Sequence, residues 1–317
     1  MKNCKRLFTL CLALSLLWIF CAGAQAQYSI AALKGPTAMG LVRMMRDHEN
    51  DNGAYAFTIA GSADAVTPAL LKGDIDMACI PANLAAILYN KTAGEIQVLA
   101  VNTLGVLYIV ENGDTIHSIQ DLRGCAIAAA GKGSTPEYAL RYLLRENGID
   151  PDRDIKIDWK SEHSECIAAM AAGQTNIALL PQPFVTAAQD KIKGLRTAID
   201  LNAAWDALGN ESALITGVIV ARKSIAEENP EAMRTFLREY AESVAWTNAN
   251  ASDAAALIGE YGIVDAAIAE RALPQCNIVC ITGAALSEKL RGYLQIIYRA
   301  DPAAVGGAVP DDDFYFE

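Results

Sequence analysis

Two stretches of the chain share a pattern that decides the fold: LLKGDIDMACIP at residues 70–81 and MAAGQTNIALLP at residues 170–181. In each stretch a glycine follows a helix-like segment, and an apolar run then ends at a proline. Glycine readily adopts the left-handed conformation that ends helices, and a short apolar run is typical of a buried strand. We therefore predict a helix end followed by a strand in each stretch, and an internal repeat in the chain.

Strand and helix patterns alternate on both sides of these stretches. Ser134 and Glu137 have the spacing of a capping box, which marks one helix start. Such alternation produces parallel sheets covered by helices on both faces. The sequence predicts an α/β protein with two lobes, each a mainly parallel sheet flanked by helices; a single doubly wound domain is the alternative. The predicted strands lie at residues 28–33, 56–60 and 75–80, and again at 126–130, 155–160 and 176–180.

Two further apolar runs are predicted to connect the lobes. Residues 106–110 lead out of the first unit and residues 213–220 lead out of the second. We interpret both runs as strands of a two-strand hinge. The predicted organisation is residues 27–110 and 217–317 in lobe I and residues 111–216 in lobe II. After the second run the chain has mainly helical patterns, which we expect to pack back on lobe I.

The N-terminal residues have the pattern of a signal peptide. Basic residues precede an apolar run at residues 7–20, and Ala24-Gln25-Ala26 supplies the small residues of a cleavage site. We expect residues 1–26 to be removed on export, which would place the protein in the periplasm or on the outer face of the cytoplasmic membrane. A retained membrane anchor and a lipid anchor at Cys21 are the alternatives.

The charge and the cysteines limit the possible partners and crosslinks. The chain has a net charge of −11, and the predicted signal peptide holds three positive and no negative residues, so the mature part carries about −14. Such a surface repels nucleic acid. Five cysteines lie outside the signal peptide, and an odd number leaves at least one free thiol. Cys276 and Cys280 are near enough in sequence to pair, but spacing alone does not decide this.

A ligand site is predicted where the two lobes face each other. Ligands of open parallel sheets bind beyond the carboxyl ends of the strands, where helix N-termini also present free amides. For Thr37 and Ser134, capping of a helix is the alternative to a ligand contact. The candidate ligand-binding residues are Lys34, Pro36, Thr37, Ser62, Asn83, Asn102, Thr103, Lys132, Ser134, Thr135, Glu162, His163 and Gln182.

Several short motifs, in this order, resemble those of a known family. They are Gly35-Pro36-Thr37, the run LKGDIDMA at residues 71–78, the run GKGSTPE at residues 131–137, and Asn229-Pro230. The chain resembles the substrate-binding proteins of ABC transporters, in the group that binds nitrate, sulfonate, taurine and thiamine precursors. The resemblance implies a type II periplasmic-binding fold and a family ligand site at the loop after the first strand and at residues 131–135. It also implies delivery of the ligand to a membrane permease.

The expected function is therefore that of a monomeric solute-binding protein of an ABC importer, without a cofactor, a metal or a catalytic centre. Lys34 and Lys132 favour an anionic or carbonyl-rich ligand, whereas Glu162 can pair with a cation. A ligand-sensing module of a receptor is one alternative. An enzyme similar to those that make the thiamine pyrimidine is another, because Cys166 follows His163 by one helical turn and a nucleophile pair needs such proximity.

Overall fold

The computed structural model describes residues 27–49, 53–209 and 212–317. The predicted signal peptide, including Cys21, lies outside these residues. Within them, strands and helices alternate along most of the chain, and helices dominate the C-terminal third. None of the helices in these ranges is long and apolar enough to span a membrane.

The strands form two separate sheets. The first sheet has six strands in the order β11-β4-β10-β3-β1-β2, and the second has five in the order β7-β6-β8-β5-β9. Two sheets, each flanked by helices, are the architecture predicted for a protein with two lobes. The strands are β1 (Tyr28–Leu33), β2 (Tyr55–Ala60), β3 (Met77–Pro81), β4 (Ile96–Leu104), β5 (Leu107–Glu111), β6 (Ala126–Ala130), β7 (Lys156–Lys160), β8 (Ile177–Pro181), β9 (Arg196–Asp200), β10 (Ile215–Arg222) and β11 (Ile278–Ile281).

The helices lie on the faces of the sheets and in the C-terminal part of the chain. Most of them connect two strands, and the longest follow β10 and β11. The helices are α1 (Pro36–Met39), α2 (Val42–Asp47), α3 (Ala63–Lys72), α4 (Ala82–Lys91), α5 (Thr135–Glu146), α6 (His163–Ala171), α7 (Phe184–Lys191), α8 (Leu201–Asp206), α9 (Lys223–Glu228), α10 (Pro230–Ala249), α11 (Ala251–Glu260), α12 (Ala266–Ala272) and α13 (Gly283–Ala300).

The internal repeat is confirmed. Helix α3 ends at Gly73, which has a φ of 84°, and Gly173 follows α6 with a φ of 68°. Both positive angles lie in the region that favours glycine. The strands that come next, β3 and β8, end at Pro81 and Pro181. The same sequence signal therefore produces the same local structure in both sheets.

Most strands of each sheet run parallel, as predicted, and both sheets also contain antiparallel strands. Strand β1 pairs in parallel with β2 and β3, and β6 pairs in parallel with β7 and β8. However, β10 is antiparallel to β3 and β4, β11 is antiparallel to β4, and β5 is antiparallel to β8 and β9. Strand β5 enters the second sheet from the first, and β10 enters the first sheet from the second. Each of them therefore runs opposite to the parallel strands of the sheet that it joins.

The first crossing between the sheets lies at the start of the predicted hinge strand, residues 106–110. Strand β4 belongs to the first sheet, and β5 already pairs with β8 and β9 of the second sheet. The chain therefore crosses at Gly105 and Val106, and the lobe I boundary predicted at residue 110 has to move ahead of β5. The return crossing runs from α8 to β10, near the predicted position.

Both crossings are closely packed at a glycine. A Cβ atom at Gly105 would lie 2.8 Å from Cβ of Asn202, and one at Gly217 in β10 would lie 2.5 Å from Oδ1 of Asn102. The side chain of Asn277 also donates a hydrogen bond to the Gly105 carbonyl oxygen at 2.5 Å. These positions have no room for a side chain, so the path between the sheets is sterically defined.

Helix α13 joins the two halves through buried side chains. It packs on α5 of the second half and on α4 and β4 of the first. Tyr293 is fully buried, its ring centroid lies 5.7 Å from that of Trp205, and its hydroxyl donates a hydrogen bond to Oγ1 of Thr135 at 3.3 Å. Leu290 and Leu294 are buried in the same apolar cluster, which contains residues of both sheets.

Polar contacts link the two halves on the side of α7 and α12. Arg271 of α12 forms a two-pronged ion pair with Asp190 of α7, with Nη1 and Oδ1 2.7 Å apart. The amide of Gln182 donates to Oε1 of Gln275 at 2.6 Å. The hydroxyl of Tyr108 donates to the carbonyl oxygen of Gln275 at 3.3 Å.

The five described cysteines are free thiols, so the possible pairing of Cys276 with Cys280 is not formed. Cys276 is fully buried, whereas Cys280 is half-buried and its sulfur lies 4.0 Å from the carbonyl oxygen of Leu237. Burial raises the pKa of the Cys276 thiol to about 12 and that of Cys280 to about 11. Both side chains therefore pack as small apolar groups.

Substitution of Tyr293 tests whether α13 holds the two halves together. Tyr293→Ala should lower the free energy of unfolding by about 3–5 kcal/mol, because it leaves a large cavity in the shared cluster. Tyr293→Phe should lower it by only about 1 kcal/mol, since only the hydrogen bond to Thr135 is lost. Urea unfolding monitored by circular dichroism measures both values. A loss below 1 kcal/mol in Tyr293→Ala would contradict this role.

A buried carboxylate at the end of β5 makes stability depend on pH. Glu111 is 2% exposed and accepts hydrogen bonds from Thr115, from the amide of Ile116 and from Arg196 at 2.5 Å. Burial alone raises the pKa of Glu111, but these donors outweigh it and the pKa is lowered. The stabilisation is thus present above the unfolded-state pKa of about 4.3 and is lost as pH falls below it.

We expect Glu111→Gln to lower the free energy of unfolding by about 1–3 kcal/mol at pH 7, because Arg196 and two amides lose a charged acceptor. The difference from the parent protein should shrink as the pH falls below 4. Urea unfolding at a series of pH values tests this, with the exposed Glu146→Gln as the matched control. A difference that stays constant down to pH 3 would refute the assignment.

Candidate functional site

A cavity of about 210 Å³ lies between the two sheets, beyond the carboxyl ends of their parallel strands. Its walls come from the loops after β1, β3, β6, β7 and β8, and from both crossings. This is the position at which open α/β sheets bind ligands. The lining residues are Leu33, Lys34, Gly35, Pro36, Thr37, Pro81, Val106, Leu107, Gly131, Ser134, Thr135, Pro136, His163, Pro181, Gln182, Pro183, Phe184 and Thr216.

Seven of the thirteen candidate residues lie around this cavity, and six do not. Those around it come from both halves of the molecule, as expected for two facing rims. The lining candidates are Lys34, Pro36, Thr37, Ser134, Thr135, His163 and Gln182, and the others are Ser62, Asn83, Asn102, Thr103, Lys132 and Glu162.

The hydroxyls of Thr37 and Ser134 do not cap their helices. Thr37 Oγ1 donates to the carbonyl oxygen of Leu33 at 3.0 Å, and Ser134 Oγ donates to that of Gly131 at 2.7 Å. The predicted capping box is not formed, because Ser134 Oγ accepts no first-turn amide and Glu137 accepts from the Gly133 amide at 2.8 Å instead of from the Ser134 amide. Each hydroxyl keeps its oxygen lone pairs for a further donor.

Three candidates stand behind the cavity wall and hold it in place. Asn102 is buried and donates to the carbonyl oxygen of Thr37 at 3.2 Å, while Thr103 donates to Oδ1 of Asn102 at 3.0 Å. The amide of Asn83 donates to the carbonyl oxygen of Ala304, and its Oδ1 accepts from Thr135 Oγ1 at 3.4 Å. Their side chains are thus committed to the protein itself.

The remaining three candidates lie outside the cavity. Lys132 lines a separate outer depression of the second half, together with Arg141, Arg145 and Asp152. Glu162 is exposed and accepts a hydrogen bond from the Ser164 hydroxyl at 3.0 Å. Ser62 is also exposed, at the start of α3. These positions were predicted from loop order alone, which does not indicate the direction of a side chain.

His163 carries a buried polar atom without a partner. It is the first residue of α6, and its ring centroid lies 5.0 Å from that of Phe184. Its Nδ1 is buried and has no hydrogen-bond partner among the described residues. Burial lowers the pKa of His163 to about 4, so the imidazole is neutral at physiological pH. A neutral imidazole nitrogen can donate or accept one hydrogen bond, depending on its tautomer.

Thr216 is a second such residue, and it is not among the candidates predicted from the sequence. Its Oγ1 is buried without a hydrogen-bond partner among the described residues, and it lies at the start of β10 on the return crossing. The signal available was one polar residue within the apolar run at residues 213–220. Each buried polar group left unpaired costs about 1–3 kcal/mol. The two atoms are therefore candidate contacts for a bound molecule.

The pair formed by Cys166 and His163 lacks the features of a nucleophile and its base. Cys166 is fully buried, and its sulfur lies 3.8 Å from the carbonyl oxygen of Glu162. Burial raises the pKa of the Cys166 thiol to about 11, whereas an activated cysteine has a lowered pKa. Among the residues that the structure describes, no group of three histidine, cysteine or acidic side chains is arranged to hold a metal ion.

Comparisons with solved structures agree with this fold. The chain is similar to the crystal structure of an ABC transporter from Parabacteroides distasonis, with a TM-score of 0.78 and 24% identity over 92% of this chain and 99% of that one. It is also similar to the periplasmic aliphatic sulphonate binding protein SsuA from Escherichia coli, with a TM-score of 0.71 and 18% identity over 91% and 95% of the two chains. Identities this low show the fold alone.

Sequence comparisons reach the level of a family. A protein of Brucella abortus (strain 2308) named "Putative binding protein" is 24% identical over 180 residues, which is 57% of this chain and 54% of that protein. The chain thus spans about half the length of the curated relatives it matches. The family model described as "ABC transporter, phosphonate, periplasmic substrate-binding protein" matches residues 54–270, more than half of the chain. The chain therefore belongs to this family of periplasmic substrate-binding components of ABC import systems.

Proposed function

We propose that this chain captures a small organic ligand in the cavity between its two sheets, closes around it by a rotation at the two crossings, and hands it to a membrane permease. The observation that carries the proposal is the cavity itself, which has walls from both halves of the molecule and is lined by two residues, His163 and Thr216, that each carry a buried polar atom without a partner among the described residues. A site divided between two bodies couples ligand binding to their relative position.

The proposed contacts are the polar groups of the cavity wall that retain hydrogen-bonding capacity. They include the hydroxyl oxygens of Thr37 and Ser134 as acceptors, in addition to His163 and Thr216. Gln182 has a different role in this proposal, because its amide already bonds Gln275 and its Oε1 accepts from Thr186 at 3.0 Å. Gln182 would connect the two halves when the cavity is closed.

We propose in addition that the chain is exported and that it acts by binding a ligand without catalysing a reaction. Removal of residues 1–26 would place the mature chain outside the cytoplasmic membrane, where the family operates. The mature chain would act as a monomer that meets the permease only transiently. No reaction is assigned to the cavity, since its histidine is neutral and the nearby thiol of Cys166 is protonated at neutral pH.

Ligand capture is tested with the mature chain, residues 27–317, after unfolding and refolding to remove any bound molecule. The refolded protein is dialysed against a small-molecule extract of cells, and the retained species are identified by mass spectrometry. Addition of the retained species at about a hundred times its dissociation constant should stabilise the protein by about 2.7 kcal/mol, or several degrees in melting temperature. If no species is retained and no shift occurs, the proposal fails.

The ion pair between Arg271 and Asp190 should favour the closed arrangement, since it joins α12 of the first half to α7 of the second. Both side chains are exposed, so the contribution is about 0.2–1 kcal/mol. Arg271→Ala should therefore weaken ligand affinity by up to about fivefold. Arg234→Ala is the matched control, because Arg234 pairs with Glu231 within α10 and joins no two halves. Calorimetric titration compares them, and equal affinities in the two variants would contradict a role in closure.

A further inference from the structure

The walls of the cavity are poor in groups that bind anions. Its lining includes five prolines, three of which stand beside a helix start: Pro36 in α1, Pro136 in α5 and Pro183 before α7. Proline has no backbone N–H, and the N–H groups of a first helical turn are the ones that hold phosphate-like and carboxylate ligands. Pro36 and Pro136 therefore remove one donor each from the first turns of α1 and α5.

The donors that remain near the helix starts are partly used within the protein. The Gly133 amide donates to the carboxylate of Glu137 at 2.8 Å, and the Ser161 amide donates to Glu165 at 3.3 Å. The Ala38 amide donates to the carbonyl oxygen of Gly35 at 3.1 Å. Glu137 and Glu165 also place negative charge in the first turns of α5 and α6, which offsets part of the positive potential of these helix starts.

Charge within the cavity wall is limited to one side chain. Lys34 is the single residue with a formal charge among those that line it, and Lys34 is exposed. No arginine lines the wall, although arginine is the residue best suited to bind phosphonate or sulfonate groups in a two-pronged geometry. Transfer of a charged ligand from water into such a site would be compensated by one charged side chain only. An uncharged ligand avoids this cost.

The rest of the wall combines apolar side chains with uncharged polar ones, two of which, His163 and Thr216, carry an unpaired atom. Val106 and Leu107 are buried at the first crossing, and Phe184 lies against the ring of His163. His163 Nδ1 and Thr216 Oγ1 come from different halves of the molecule, so one ligand that bonds both would hold the halves together. Each of the two atoms can act as a donor or as an acceptor. A matching ligand therefore has two hydrogen-bonding groups, one for His163 Nδ1 and one for Thr216 Oγ1.

We propose that the ligand of this site is a small uncharged molecule, a compact ring with an apolar face and two hydrogen-bonding groups, rather than a phosphonate, a sulfonate or nitrate. The inference rests on the proposed function, because it assigns the ligand class of the same cavity. The volume of about 210 Å³ lies below the range of about 300–1,000 Å³ that is usual for ligand pockets, which limits the ligand to a small ring.

The test is a calorimetric and thermal-shift comparison of two probe sets on the refolded mature chain. One set holds uncharged rings: uracil, thymine, cytosine and δ-valerolactam. The other holds anions: methylphosphonate, ethanesulfonate and nitrate. We expect binding within the first set and none in the second at equal concentrations. Binding of the anions in preference to the rings would overturn the inference and leave the proposed capture function intact.

The extract experiment described above makes the comparison independent of the chosen probes. The species retained by the protein from a cell extract should carry no net charge at pH 7. A retained phosphonate or sulfonate would overturn the inference alone. Retention of no species would remove the proposed function, and the inference with it.

Two threonine substitutions separate ligand contact from protein stability. Thr216→Val keeps the shape of the side chain and removes the unpaired hydroxyl, and should weaken binding of the uncharged ligand at least tenfold. Thr247→Val is the matched control, because Oγ1 of Thr247 is also buried without a partner among the described residues but belongs to α10, away from the cavity. Neither variant should lower the melting temperature of the ligand-free protein, because each removes an unpaired polar group.

His163→Leu provides the second contact test. It should weaken binding to a similar degree while leaving the overall fold intact, as judged by circular dichroism. If Thr216→Val and His163→Leu bind the uncharged ligand as tightly as Thr247→Val does, the two polar atoms are not its contacts and the inference is wrong.

Discussion

The two passages of the chain between the sheets constrain the rest of the molecule, because both are packed too tightly at a glycine to admit a side chain. At Gly217 the backbone approaches Asn102, and Asn102 in turn holds the carbonyl oxygen of Thr37 in the cavity wall. At Gly105 it approaches Asn202 in α8, the helix that precedes the return crossing. The two crossings and the first loop of the cavity thus form one packed unit. A change in the relative position of the sheets would act directly on the ligand site.

Two sets of contacts join the halves of the molecule on either side of the crossings, and one set is apolar whereas the other is polar. Helix α13 contributes a buried apolar contact, in which Tyr293 lies against Trp205 and reaches Thr135. The contacts near α7 and α12 are polar, and the ion pair of Arg271 with Asp190 is exposed to solvent. Buried apolar contacts are expensive to separate, whereas exposed ion pairs contribute little. A rotation that opens the cavity would therefore break the polar side and keep the apolar side as its pivot.

Membership in a family named for phosphonate binding does not define the chemistry of this cavity. The fold places helix starts around the cavity, which suits anions in general. In this chain, however, Pro36 and Pro136 remove amide donors, and Glu137 uses one that remains. The same scaffold can thus present a nearly uncharged wall. Function resides in the side chains that a fold carries and is not set by the fold itself.

The sequence predicted the architecture well, because the signals that set it are local. The glycine and proline positions around residues 73–81 and 173–181 define helix ends and strand ends without reference to the rest of the chain. The direction of β5 and β10 was missed, since strand pairing between distant segments leaves no local pattern. The boundary of lobe I was placed after β5 for the same reason.

The site was predicted less completely, for a related reason. Loop order identified Thr37, Thr135 and His163 as candidates around the cavity. It could not tell that Asn83 and Asn102 stand behind the wall, or that Lys132 and Glu162 point away, because these depend on side-chain direction. Thr216 was missed because a single polar residue in an apolar run gives no local sign that it lines a cavity. Its position in the cavity wall depends on how the two halves pack together.

The most direct measurement is a crystal structure of the mature chain with the molecule that it retains from a cell extract. We predict that the molecule lies between the two sheets, with polar atoms at hydrogen-bond distance, about 2.7–3.2 Å, from both His163 Nδ1 and Thr216 Oγ1. A ligand bound elsewhere, such as the outer depression at Lys132 and Arg145, or a ligand in the cavity that contacts neither atom, would contradict it.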